Sequence, residues 1–215
     1  MIMLNQQPQP YCGNPYAASM SDVDFRRLSK FIHPHCGIKM PAGKRTMLEG
    51  RLRKRLHALG MDCFGKYCDY LLSPGGMTTE RIHMIDAVTT NKTDFFREPA
   101  HFDFLTHVVL PELVARGFGN GRKLNAWSAG CSSGEEAYTL AMVLNEFAEH
   151  TFNMNFSILA TDISTKVLDK ARRAVYEHDR ISPVPMLMRR KYILRNKNKE
   201  YNLVRIVPEL RSRNC

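Results

Sequence analysis

Three stretches of this chain carry residues whose types and spacing suit ligand chemistry. The first is Ser128-Ala129-Gly130-Cys131-Ser132-Ser133-Gly134-Glu135-Glu136, where an apolar run ends and a helical pattern begins. Small residues there let a ligand approach the backbone closely, and a helix start offers N–H groups. An ordinary tight turn between strand and helix has the same composition. The second is Asp162, in Leu159-Ala160-Thr161-Asp162-Ile163. A carboxylate just past a second strand can accept both hydroxyls of a ribose. It can equally cap the next helix, unless Ser164 takes that task and leaves Asp162 free. The third is Thr89-Thr90-Asn91-Lys92-Thr93-Asp94-Phe95-Phe96-Arg97-Glu98, dense in polar and aromatic side chains at a change in sequence character. Asn91, Thr93 and Arg97 are candidates to reach over a ligand pocket, while Phe95 and Phe96 could simply pin a linker.

The turn argues about what such a ligand is. Gly130 and Gly134 are spaced GxxxG, so the dinucleotide fingerprint is absent, and Asp162 lies further on than that fingerprint's usual interval of about 20 residues. A turn without a pyrophosphate cradle suits a nucleoside that has no phosphates. S-adenosylmethionine is such a ligand and carries a cationic sulfonium. Glu135 and Glu136 would repel a pyrophosphate and tolerate a sulfonium, although two acidic residues also complement a helix dipole.

The surrounding elements fall into two kinds. From Ser21 to Val88 the apolar spacing predicts short helices. Phe25, Leu28 and Ile32 share one face after Ser21, and a second helix runs from about Gly43 to Leu59. Phe64, Tyr67 and Leu71 mark a third, ended by Ser73-Pro74-Gly75-Gly76, and Ile82, Ile85 and Val88 a fourth. The later residues predict a helix over 100–116, a strand over 123–129, a helix over 134–149, a strand over 156–161 and a helix over 164–175. That alternation points to a parallel α/β sheet. Tyr192-Ile193-Leu194 and Leu203 to Val207 then read as a hairpin.

Composition sets the wider bounds. The 215 residues include 44% apolar and 24% charged residues, as in ordinary globular domains. No run approaches the roughly 20 apolar residues of a membrane span, and the Gln- and Pro-rich start lacks a signal-peptide layout. Six cysteines without a CxxC pair fit a reduced, cytoplasmic setting. His33-Pro34-His35-Cys36 reads as a loop after a helix, since no second cluster completes a metal site. The net charge of +10 implies an acidic partner surface. Nucleic acid is disfavoured, because the basic residues belong to no base-reading motif.

TTNKTDFFRE, NAWSAGCSSGEEAYTLAMVL and ILATDISTKVLDKARRAVY, in that order, resemble the CheR family of chemotaxis-receptor methyltransferases. The resemblance covers about Ser21 to Leu210. It implies methyl transfer from S-adenosylmethionine to glutamate side chains on the cytoplasmic helices of chemotaxis receptors. It also implies cofactor contacts at Asn91, Thr93, Arg97 and Glu136, with Asp162 holding the ribose. Family members continue with further strands, and nothing like them follows Leu210, so the pattern reads as cut in mid-domain. The expected fold class is α+β. A disordered tail (1–20) leads to a small all-helical N-terminal domain (21–90), then an incomplete Rossmann-like α/β domain with a β hairpin (91–215). Such a sheet would leave Leu140, Leu144 and Phe147 partly open.

Two roles follow for cationic residues. Arg97 could orient the incoming carboxylate as a catalytic group, its fork matching that geometry, or form an interdomain salt bridge. Arg51, Lys54 and Arg55 share one helix face opposite Leu48, Leu52, Leu56 and Leu59. That face is either solvated or a docking surface for Glu-rich receptor helices. The alternative to an enzyme is a non-catalytic fragment that retains this docking.

Overall fold

In the computed structural model, which describes residues 18–118, 122–151, 154–198 and 200–213, Ser21 caps the first helix. Its hydroxyl accepts the Asp24 N–H at 3.1 Å. The chain divides into two compact units, Met1–Thr89 and Thr90–Cys215. Most of the expected N-terminal tail lies outside the described residues, but Met20 is buried in the first unit's core.

The first unit contains α1 (Asp22–Cys36), α2 (Arg45–Ala58), α3 (Phe64–Leu72) and α4 (Pro74–Val88). Phe25, Leu28 and Ile32 meet Leu48, Leu52 and Leu56, with Phe64, Tyr67, Leu71, Met84 and Val88 completing the core. One local expectation changes. Residues 33–36 are no loop: they form the last turn of α1 around Pro34, and Gly37 closes the helix at φ 68°. The third helix does end at Ser73-Pro74-Gly75-Gly76, and the next begins within the same stretch. Ser73 ends α3 and caps α4, accepting the Gly76 N–H at 3.1 Å. A Cβ on Gly76 would stand 1.9 Å from the Tyr70 carbonyl oxygen, so only glycine lets α4 start so close to α3.

The second unit opens with α5 (Pro99–Phe104), a π-helical turn (Leu105–Val109) and α6 (Leu110–Ala115). One continuous helix was the expectation. Pro111 has no N–H to offer the turn before it, and the Leu110 N–H reaches back five residues to the Leu105 carbonyl.

Strands β1 (Leu124–Ala129) and β2 (Phe156–Thr161) pair in parallel, from Leu124↔Phe156 to Ala129↔Thr161, and α7 (Glu135–His150) connects them. Leu124, Phe156 and Ile158 are buried with Ala137, Ala141 and Leu144. Leu144 is therefore closed rather than open as expected, while Leu140 and Phe147 are half-buried. Trp127 and Leu159, a register pair, are exposed.

Helix α8 (Thr165–Arg173) ends two residues earlier than the apolar spacing predicts, because Ala174 turns left-handed at φ 52°. The freed Val175–Glu177 forms β3. It joins the expected hairpin strands β4 (Ile193–Arg195) and β5 (Leu203–Ile206) in an antiparallel sheet of order β3-β5-β4. Helices α9 (Met186–Tyr192) and α10 (Pro208–Arg211) complete the described elements. The Ile158 N–H of β2 donates to the Arg213 carbonyl at 2.9 Å.

Candidate cofactor site

The turn after β1 is tied down by its own backbone. The Thr161 carbonyl, at the end of β2, accepts the N–H groups of Gly130 and Cys131 at 2.8 and 2.9 Å. Ser132 (φ 50°) donates its N–H to Asp162 Oδ2 at 2.9 Å, and Gly134 donates to the Cys131 carbonyl at 2.9 Å. Four N–H groups that could have cradled a phosphate are thus already used. The two glycines serve different ends. Gly130, at φ 77°, faces open space and is required by its backbone angle. Gly134 is small for packing, since a Cβ there would lie 2.9 Å from Ala171 Cβ on α8. Burial pushes the Cys131 thiol up to about 11, with Asp162 adding to the effect, so it stays protonated at neutral pH.

The adjacent glutamates diverge. Glu136 is exposed and accepts the Ser128 hydroxyl at 2.6 Å, which places its carboxylate at the end of β1. Glu135 is 2% exposed. It accepts Arg180 Nη2 at 2.8 Å and the Ser133 hydroxyl at 2.7 Å.

Ser164 stands at the N-cap of α8, and Asp162 supports it rather than standing free. Asp162 Oδ1 accepts the Ser164 N–H at 2.8 Å while Oδ2 holds Ser132, and the Ser164 hydroxyl makes no cap bond. Each carboxylate oxygen still has a second acceptor position. Asp162 is therefore oriented by two backbone donors and keeps capacity for two hydroxyls.

The loop before α5 is fastened to the same turn. Ser132 Oγ donates to the Asn91 carbonyl at 3.0 Å, so Ser132 bridges Asn91 and Asp162. Phe95 is fully buried with its ring edge-on to Tyr176 at 5.0 Å. The Phe96 N–H donates to Thr139 Oγ1 at 3.2 Å on α7. Thr93 is buried, and its carbonyl accepts Arg180 Nη2 at 2.5 Å. Arg97 is exposed and donates to the Lys92 carbonyl at 3.3 Å. Sequence reasoning missed Arg180, whose partners lie far away along the chain.

In the first unit the proposed basic face is largely committed to its own fold. Arg55 makes a two-point bond to the buried Glu80, at 2.8 and 2.7 Å, and Tyr67 Oη donates to the same carboxylate at 3.0 Å. Arg51 Nη1 donates to the Val88 carbonyl and to that of Thr89 at 3.0 Å, at the end of α4. Lys54 is exposed.

A turn joining two parallel strand ends, with four of its N–H groups engaged and an oriented carboxylate after β2, suits a nucleoside in an α/β domain. Residues 91–214 match the CheR methyltransferase SAM-binding domain, and residues 23–89 match the CheR methyltransferase all-alpha domain. The chain belongs to the CheR methyltransferase family. Over 189 residues it is 38% identical to a chemotaxis protein methyltransferase of Borreliella burgdorferi, covering 87% of this chain and 66% of that protein. Over 192 residues it is 36% identical to the Escherichia coli chemotaxis protein methyltransferase, covering 89% of this chain and 64% of that protein. Chemotaxis protein methyltransferase 2 of Pseudomonas aeruginosa is 34% identical over 209 residues, 97% of this chain and 71% of that one. The chain thus spans about two-thirds of the relatives it matches. S-adenosylmethionine is the methyl donor that the matched domain indicates. The residues fit it: the filled turn N–H groups suit a phosphate-free nucleoside, and Asp162 retains acceptor capacity for a ribose. Among the described residues no helix is long and apolar enough to cross a membrane.

Proposed function

We propose that this chain takes part in S-adenosylmethionine-dependent methylation of glutamate side chains on chemotaxis receptors. The observation that carries the reading is the bridge at Ser132, which fixes Asp162 and the Asn91 loop on one turn. Asp162 would accept the ribose hydroxyls, Asn91 and Thr93 would line the loop side, and Glu136 would lie by the turn. When bound, the cofactor would supply an electrophilic methyl group on a cationic sulfur for transfer to a glutamate oxygen. A glutamate carboxylate, with an ordinary pKa of about 4.3, is already ionised at neutral pH, so no general base is required. The chain's part is to align the two groups and exclude water. Arg97, exposed at the end of the loop, would orient the incoming carboxylate.

Receptor docking through α2 is the second part of the reading. Of the three cations on that face, Lys54 is the clean probe, because Arg51 and Arg55 also hold the helical unit together. Lys54→Glu should weaken receptor capture in a salt-dependent way and leave cofactor binding unchanged. Capture that is equal at low salt would make the face a solvated one. For the activity itself, transfer of radiolabelled methyl to receptor membranes is the test. Label in base-labile esters on receptor glutamates is expected, and receptors left unlabelled by a chain that binds cofactor would favour the non-catalytic docking reading.

A further inference from the structure

Arg180 touches three groups that have no sequence proximity to it. Its guanidinium meets Glu135 Oε1 at 2.8 Å, the Thr93 carbonyl at 2.5 Å and Asp94 Oδ1 at 2.8 Å. Glu135 is the first residue of α7, immediately after the turn, and is buried. Thr93 and Asp94 belong to the loop that carries Asn91 and Arg97. Arg180 itself sits on the short 3-10 segment between β3 and α9. One side chain therefore joins three separate pieces of chain.

We propose that Arg180 is a positioning residue for the cofactor site: it clamps the Asn91–Arg97 loop to the start of α7. This rests on the S-adenosylmethionine reading above and extends it to a residue outside the family-like motifs. Glu135 is charged and buried, so it requires a cation, and the Ser133 hydroxyl alone does not neutralise it. The Glu135 carboxylate fixes one arm of the fork, and the planar guanidinium then sets where the Thr93 carbonyl and Asp94 must lie. The bond to Glu135 also holds the Arg180 pKa above its ordinary value, so the cation persists at any working pH. At the loop's two ends, Ser132 holds Asn91 and Thr139 holds Phe96. Between them Phe95 buries its ring and Arg97 holds the Lys92 carbonyl from within the loop, while Arg180 ties Thr93 and Asp94 to the start of α7. Lysine cannot replace it, because a single ammonium lacks the fork that serves a carboxylate, a carbonyl and a second carboxylate at once.

Stability and positioning are separable. Arg180→Gln leaves Glu135 buried and unpaired. The double variant Glu135→Gln/Arg180→Met removes both charges and recovers the fold without restoring the clamp. Two readouts follow at a temperature where all chains are folded: amide hydrogen exchange of the Asn91–Phe96 segment, and calorimetric affinity for S-adenosylhomocysteine. The expected result is faster exchange in that segment and roughly tenfold weaker affinity in both variants, even where the double variant melts as the parent does. Unchanged loop protection in the double variant would overturn the clamp, whether or not cofactor binds. Faster exchange with parental affinity would overturn the positioning role. A parent chain that binds no S-adenosylhomocysteine would remove the cofactor reading and this role with it.

Discussion

Each unit buries one glutamate against one arginine, and the two pairs do different things. In the helical unit Glu80 takes both arms of Arg55 and the hydroxyl of Tyr67, three bonds that all stay among α2, α3 and α4. The network closes on itself, so it can specify how the helices pack but cannot place anything else. In the α/β unit Glu135 takes one arm of Arg180, and the remaining contacts run to a loop. The same chemistry is a core fastener in one unit and a strut in the other. The difference lies in what the arginine touches besides its glutamate.

The largest expected effect tests the closed network. Arg55→Ala should destabilise the helical unit by about 3–5 kcal/mol, because it strands a buried carboxylate. Thermal melting followed by circular dichroism measures it, and affinity for S-adenosylhomocysteine should not change. A matching loss of affinity would show that the two units are coupled and break the comparison.

The glycines sharpen it next. Gly76→Ala forces a Cβ to within 1.9 Å of a backbone carbonyl, and Gly134→Ala forces one to within 2.9 Å of Ala171 Cβ at a positive φ. Each should cost about 1–3 kcal/mol, as overpacking does. Only Gly134→Ala should also weaken cofactor binding, since Gly134 ends the turn. The chain has a single tryptophan, Trp127 on β1, so its fluorescence reports the α/β unit alone. Denaturation of Gly76→Ala should therefore leave the Trp127 transition in place while shifting the helical signal.

The smallest effect is a pH dependence. Burial raises Cys131 to about 11 and Cys68 to about 12, from an ordinary 9.0. A raised thiol pKa means the folded state holds the proton more tightly. Its contribution is whole below pH 9 and is lost as the pH rises through the folded values. Both units should weaken as the pH rises above about 9, and the buried phenols of Tyr176 and Tyr67, which burial also raises, add to the loss at higher pH. Urea midpoints read by Trp127 and by circular dichroism should both fall as the pH rises above about 9, and midpoints that stay level would contradict the burial of these groups.

The helical unit was mostly legible in the sequence because its information is local. Ser21 as a cap, and Leu48, Leu52 and Leu56 as one buried face, follow from spacing alone. The strands β1 and β2 were legible for the same reason. Strand β3 was not, because Ala174 stops α8 without a glycine to mark the turn. The commitment of Arg51 and Arg55 was invisible too: spacing puts them on one face but does not show that Glu80 or the end of α4 waits there. Spacing left the start of α8 to Asp162 or Ser164: Ser164 stands at the N-cap, and the Asp162 carboxylate accepts its N–H, a division that sequence alone does not decide. Arg180 could not be read at all. Its partners lie 45 to 87 positions away, and no periodicity encodes such a meeting.

The most direct test of the cofactor reading is a calorimetric titration of S-adenosylhomocysteine into the parent chain and Asp162→Ala. Asp162 is half-buried and oriented by the Ser132 and Ser164 N–H groups, so on the cofactor reading its removal would delete both proposed ribose contacts and loosen the turn. Each hydrogen bond to a charged group contributes about 1.5–3 kcal/mol, so the predicted result is a binding parent and a variant at least roughly tenfold weaker. A folded Asp162→Ala chain that binds as tightly as the parent would contradict the account.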